Sequence, residues 1–171
     1  KQRENLIGIL AAALLIGLDQ WTKYLAVLHL KGQSPIVLWD GVFELHYLEN
    51  RGAAFGILQG QKGIFLICTA ATLVLIAYFY NPLPAGRRFF LMRLVGVLLT
   101  AGAIGNLIDR MRYSYVVDFL YFKLIDFPVF NVADCYVTVG AVLLAVLVLF
   151  VYKEDDLSFL SLRKKNGRSQ E

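Results

Sequence analysis

The chain has 171 residues, of which 58% are hydrophobic, 13% aromatic and 18% charged, and a mean hydropathy of +0.59. Soluble domains are nearer a quarter charged, so this composition leaves too little polar surface to cover a fold in water, and its wealth of aromatic and β-branched residues excludes disorder. Two cysteines with no Cys-x-x-Cys pair exclude a disulfide framework, and the net charge of +4 has to be read from its placement, which fits basic membrane-flanking ends better than nucleic-acid binding.

A bilayer core of about 30 Å takes roughly 20 apolar residues as helix. Four segments qualify: residues 6–28, 63–80, 89–108 and 132–152. A backbone in lipid must satisfy its own hydrogen bonds, so each is predicted to be a helix. The first runs apolar to Leu18 and then carries Asp19, Gln20 and Lys23. Lys1 and Arg3 precede it as they would a signal peptide, but no Ala-x-Ala-like cleavage site follows, and a span is the expected reading. Residues 31–62 are not a span. Ile36–Leu38 and Val42–Leu48 are short β-prone runs joined by Trp39-Asp40-Gly41, a turn signal, which predicts a small sheet. The second span has no charge, and Asn81-Pro82-Leu83-Pro84-Ala85-Gly86 makes a short connection to the third, whose only charge is Arg93 near its start. The fourth carries only Asp134, also near its start, and the tail 153–171 is polar and expected to fray.

The predicted architecture is therefore an all-α membrane protein, a four transmembrane helix bundle with a small extracytoplasmic β-sheet between the first and second spans, forming one integral membrane domain over 1–171. Four spans place both termini on one side. Ten of the 17 basic residues fall on that side: Lys1, Arg3, Arg87, Arg88, Arg93, Lys153, Arg163, Lys164, Lys165 and Arg168. Most acids fall on the other. The basic side is expected to face the cytoplasm.

A charge near the bilayer centre costs at least about 3 kcal/mol on insertion scales, so polar groups within spans face partners or water. Asp19 and Lys23 are four apart and share a helix face, as an ion pair anchoring the helix or as part of a site. Gly102, Asn106 and Asp109 recur at helical spacing, and Ala101 and Gly105 form a small-xxx-small pair that lets another helix approach. Packing explains this stretch as well, with Asn106 as interhelical glue and Asp109 and Arg110 as an interfacial cap. Gly52-Ala53-Ala54, after Asn50, is either a turn into the second helix or a surface open to an extended peptide.

Asp118 and Asp134 are the sharpest pair. Asp118 sits in the apolar run Val116-Val117-Asp118-Phe119, and Asp134 follows Phe130-Asn131-Val132-Ala133 where the fourth span begins. Both lie between the outer ends of the third and fourth helices. Two carboxylates at close range cannot both ionise easily, and desolvation favours their protonated form further. One then acts as base toward water while the other, protonated, serves the carbonyl oxygen, an arrangement suited to peptide hydrolysis without metal or covalent intermediate. The alternative is two separate interface aspartates, Asp134 in particular capping its helix. Zinc chemistry has no support: His29 and His46 are the only histidines and no His-Glu-x-x-His occurs. Cys135 and Cys68 have no histidine placed beside them to act as base, and Gly102-Ala103-Ile104-Gly105-Asn106 lacks the lysine of a phosphate loop. No cofactor, metal or nucleic acid is expected.

Five blocks stand in order along these spans: Leu18-Asp19-Gln20-Trp21-Thr22-Lys23, Asn50-Arg51-Gly52-Ala53-Ala54-Phe55, Gly102-Ala103-Ile104-Gly105-Asn106-Leu107-Ile108-Asp109-Arg110, Val116-Val117-Asp118-Phe119 and Phe130-Asn131-Val132-Ala133-Asp134. Through them the chain resembles the bacterial lipoprotein signal peptidases, the signal peptidase II family of membrane aspartyl peptidases, from the first span through the fourth. The resemblance implies that Asp118 and Asp134 are the catalytic dyad, supported by Asp19, Lys23, Asn50, Gly52, Asn106, Asp109, Arg110 and Asn131. It implies a substrate, a prolipoprotein carrying diacylglycerol on its lipobox cysteine and cut just before it. It implies inhibition by the cyclic peptide globomycin, contact with membrane lipid, and a place in the bacterial cytoplasmic (inner) membrane, with the active site near the extracytoplasmic face. Cys135 departs from the family, where a serine commonly follows the second aspartate. Two other classes stay in view: a transporter or proton relay, which the clustering of the acids at one face and the lack of an inverted repeat disfavour, and a structural subunit, in which Asn would replace either aspartate without loss.

Overall fold

The computed structural model describes residues 1–52, 62–153 and 155–156. Its elements in chain order are α1 (Gln2–Leu30), β1 (Ile36–Trp39), β2 (Phe43–Asn50), α2 (Lys62–Tyr80), α3 (Phe90–Tyr113), β3 (Val116–Phe122) and α4 (Val132–Val146), the last widening into a π turn over Leu147–Val151. Among the described residues, four helices are long and apolar enough to cross a membrane, as expected. Of the Gly52-Ala53-Ala54 stretch, Ala53 and Ala54 lie outside the described residues.

Helix α3 is the hub and packs against α1, α2 and α4. Apolar side chains gain nothing by leaving lipid for one another, so close backbone approach between small residues has to hold such helices together. Ala101 is fully buried. A Cβ added to Gly102 would lie 2.5 Å from the Ala133 carbonyl oxygen on α4, and one on Gly105 would lie 2.6 Å from the Asp19 carboxylate on α1. The small-residue pattern is thus the seat of both neighbours. At the far end, the Tyr80 ring wedges between α1 and α3 where Gly8 and Gly96 leave room for it.

Helix α3 runs past the predicted end at Ile108 to Tyr113. Asp109 and Arg110 read as an interfacial stop, but Asp109 is buried, with its carboxylate 3.3 Å from Lys23 Nζ and accepting from the Val117 N–H at 3.0 Å. A satisfied charge does not terminate a helix. Ser114, in the left-handed region at φ 65°, closes it by donating to the Arg110 carbonyl.

The predicted sheet is present, with the turn at Trp39-Asp40-Gly41 closed by the Val42 N–H on the Trp39 carbonyl. It has a third strand that comes from between α3 and α4: the order is β1-β2-β3, all antiparallel. Val116, Val117, Asp118 and Phe119 are buried in succession, because β3 is covered on both faces. Val117 and Phe119 pack on Ala26 and Leu30 of α1, which sets the sheet across one end of the bundle. At the other end Leu83, Phe89, Val95, Leu147 and Tyr152 form a separate apolar cluster.

Candidate active site

Asp19, Lys23, Asn106, Asp109, Arg110 and Asp134 all come to the sheet-bearing end, while Arg93 lies at the other. Lys23 is the organising cation, 3% exposed and held between Asp19 Oδ2 at 2.9 Å and Asp109 Oδ2 at 3.3 Å. Its third contact is a bond to Asn106 Oδ1 at 2.9 Å. An ammonium only donates, so it fixes the Asn106 amide with the oxygen toward Lys23 and the nitrogen away. That nitrogen donates to Asp134 Oδ1 at 2.7 Å.

Asn131 repeats the device. Its Nδ2 donates to Asp118 Oδ1 at 2.6 Å and to Asn106 Oδ1 at 3.1 Å. Its Oδ1 accepts from the Asp134 N–H at 3.0 Å, and its own N–H donates to Asp134 Oδ2 at 3.1 Å. This is a capping box at the start of α4. The capping role weighed for Asp134 is therefore realised, and it brings Asp134 to the site rather than away from it. Asn50 supplies the last amide, donating to Asp118 Oδ2 at 2.8 Å while its Oδ1 accepts from the Gly52 N–H at 3.0 Å. Register explains the reach: Leu48 pairs with Asp118 and Asn50 with Val116, so Asn50 and Asp118 share one face of the sheet beyond a bulge in β2.

Each oxygen of Asp118 and Asp134 thus accepts from an amide, and among the described residues neither carboxylate lies in a salt bridge. The two line one cavity of about 640 Å³ with Asn50, Gly52, Asn106 and Arg110, walled by Phe122, Ile125, Phe127 and Val137. Burial, and then the Asp134 charge, push the Asp118 carboxyl up to about 7, against the lowering effect of its Asn50 and Asn131 bonds. Arg110 faces the same cavity with its guanidinium over the Phe65 ring at 4.6 Å. It does not cap α3 together with Asp109.

Gln20 stands in the first motif block but not among the candidate site residues. Its Nε2 donates to Asp109 Oδ1 at 2.9 Å, and lies 3.2 Å from both Asp19 Oδ2 and the Gly105 carbonyl. The signal was available: an amide next to Asp19 in a lipid-exposed run needs partners. Asp19 also accepts from the Ala133 N–H at 2.9 Å, a backbone contact that no side-chain pattern announces. Cys135 lines the cavity and Cys68 is exposed on α2. Among the described residues, no cluster of three metal-ligating side chains occurs.

Four membrane-capable helices around a buried carboxylate network define a polytopic membrane protein, and solved bacterial membrane enzymes share the arrangement. One, determined by the in meso method at 2.3 Å resolution, matches with a TM-score of 0.75 and 31% identity over 95% of this chain and 94% of that one. A second, at 1.9 Å, matches with 0.74 and 33% over 85% and 94%. The sequence signature of Signal peptidase (SPase) II matches residues 11–150. Lipoprotein signal peptidases of Streptococcus thermophilus (strain CNRZ 1066) and Clostridioides difficile (strain 630) are 44% and 43% identical over 150 and 146 residues, covering 88% and 85% of this chain and 93% and 96% of theirs. The chain belongs to the signal peptidase II family.

Proposed function

We propose that this protein is an aspartic endopeptidase of the membrane that removes signal peptides from diacylglyceryl-modified prolipoproteins, cutting just before the lipidated cysteine. The observation that carries the reading is the common cavity of Asp118 and Asp134, two carboxylates from separate segments, each held by amides and, among the described residues, in no salt bridge. With one proton shared between them, the ionised member takes a proton from water as the water oxygen attacks the scissile carbonyl carbon. The protonated member donates to the carbonyl oxygen to give a gem-diol. As the C–N bond breaks, the proton gained by the first passes to the leaving nitrogen, and the second takes its proton back from the gem-diol hydroxyl, which becomes the carbonyl of the acid product. Asn50, Asn106 and Asn131 hold both carboxylates in place without a charge that would fix either as permanently ionised. Lys23, with Asp19 and Asp109, orients Asn106, while Gly52 and Arg110 border the cavity and are suited to the substrate backbone.

The carboxylate-bearing end faces the extracytoplasmic side in this reading, and the end with Arg87, Arg88 and Arg93 faces the cytoplasm with both termini. A signal peptide is itself a membrane helix, and a cavity between helices at the interface admits it laterally along with its lipid. The test is cleavage of a diacylglyceryl-modified lipobox substrate by purified protein, with the product mass determined. A cut just before the lipidated cysteine is expected, lost in D118N and D134N, with globomycin competing. Full cleavage by either folded variant would break the assignment.

A further inference from the structure

A second cavity of about 710 Å³ lies at the other end of the bundle, lined by α1 and α3 with Tyr80 at its side. Its walls are apolar: Ile7, Ala11, Phe90, Leu94 and Val97. Ile7 and Phe90 are largely exposed, so in a bilayer this groove opens to lipid chains. Its polar groups gather at the end where α3 begins. There Glu4 accepts from the Gly86 N–H at 2.9 Å and lies 3.4 Å from Arg93 Nε, so this acid and this base offset each other. Arg87 also lines the cavity and is exposed, and its side chain forms no ion pair or hydrogen bond among the described residues, whereas its neighbour Arg88 is held by Asp156. The Tyr80 hydroxyl, on the same lining, is buried with no hydrogen-bond partner among the described residues. Among the described residues the cavity thus presents one cation without a partner at the head of an apolar groove, with the Tyr80 hydroxyl further along it beside Gly8.

We propose that this cavity is a binding site for an anionic phospholipid, with the phosphate at Arg87 and one acyl chain along Ile7, Ala11, Leu94 and Val97. A free phosphate would use the cation and leave the apolar walls without purpose. A net-neutral phospholipid would fill the walls without matching the surplus charge. The proposal does not depend on the peptidase reading, since none of these residues belongs to the carboxylate site.

Native mass spectrometry of the full chain in detergent, titrated with phosphatidylglycerol, tests it, with phosphatidylcholine and inorganic phosphate in separate arms. One phosphatidylglycerol is expected to be retained in preference to phosphatidylcholine. R87Q is expected to weaken it about fivefold, the worth of one basic residue at an anionic lipid surface. A11W, which fills the groove, is expected to remove it. Should A11W fail to fold, L94F is the milder obstruction and is expected to weaken binding in the same direction. Retention unchanged in R87Q, equal retention of phosphatidylcholine, or displacement by inorganic phosphate at equal concentration would each overturn the proposal.

Discussion

At one end of the bundle Arg93 is 6% exposed yet meets Asn5 Oδ1 at 2.8 Å, the Leu83 carbonyl at 3.0 Å and Glu4 at 3.4 Å. At the other end Asp19 and Asp109 flank Lys23, and Asp118 and Asp134 line a cavity with Arg110 and, among the described residues, accept only from amides. The first arrangement closes its charges locally and ties α1, the turn after α2 and α3 together. The second leaves an excess of negative charge that can be buried only if protons are held there. Buried charge at the Arg93 end therefore reads as structure, and at the Asp118 end as chemistry. Breaking each end is expected to produce different failures.

The largest difference lies in catalysis. D118N and D134N keep the shape of the side chain but turn one of its two accepting oxygens into a donor, and cannot exchange a proton. Each is expected to lower cleavage by about 10²–10⁴-fold, the usual worth of a general acid or base, with little loss of thermal stability. R93M, at the other end, is expected to lower the unfolding midpoint while leaving the cleavage rate of the remaining folded protein within a few-fold. Were R93M as inactive as D134N at a temperature where both are folded, the division between the ends would fail.

Lys23 stands where the two kinds of burial meet. Removing it as K23M leaves Asp19 and Asp109 buried without their cation and is expected to cost about 3–5 kcal/mol in unfolding free energy. The triple change D19N, K23M and D109N removes the stranded charges as well and is expected to recover much of that loss. Its activity should stay low, since Asn106 Oδ1 then loses the Lys23 bond and keeps only the longer one from Asn131 Nδ2. Thermal unfolding paired with the cleavage assay separates the two effects.

Protons supply the next test. Asp118 titrates near 7 in the fold against an ordinary value of 3.8. As pH rises from about 4 to about 7 the unfolded chain gives up this proton while the folded chain keeps it, so the stability this group contributes is full below about 4 and lost as pH rises through 7. D118N removes that dependence. Relative to the unsubstituted protein it is expected to gain stability between pH 5 and 8, on the order of 2–4 kcal/mol by the linkage of pKa to free energy. A difference that does not change with pH would mean that Asp118 is ionised throughout.

Much of this was legible in the sequence because the spans are long and their polar residues rare. Asp19 with Lys23, Asn106 and Asp134 stood out as groups lipid does not tolerate, and the small residues of α3 marked its close neighbours. Less legible was what depends on chain crossings. β3 joins a sheet expected from residues 31–62 alone, because Val116–Phe119 is covered on both faces and shows no alternation of apolar and polar residues. The run past Ile108 depended on Asp109 finding Lys23 and the Val117 N–H across space. The orientation of the amides was hidden entirely, since a letter for asparagine does not say which end donates.

Gln20 is the smallest and most discriminating case. Its amide touches Asp109, Asp19 and the Gly105 carbonyl, but it brings no charge and reaches neither Asp118 nor Asp134. If the site end is governed by the count of protons and charges, Q20A is expected to cost only about 1 kcal/mol, the net worth of an ordinary hydrogen bond. It should lower cleavage less than tenfold and leave the pH profile of cleavage in place. If instead the exact setting of Asp19 and Asp109 governs where Lys23 points, Q20A should move that profile, because a displaced Lys23 would free Asp134's amide donor to turn. Measuring cleavage against pH for Q20A beside K23M decides between them: a shared shift would make Gln20 part of the machinery that positions the aspartates, and a shift in K23M alone would confine it to holding the helices in register.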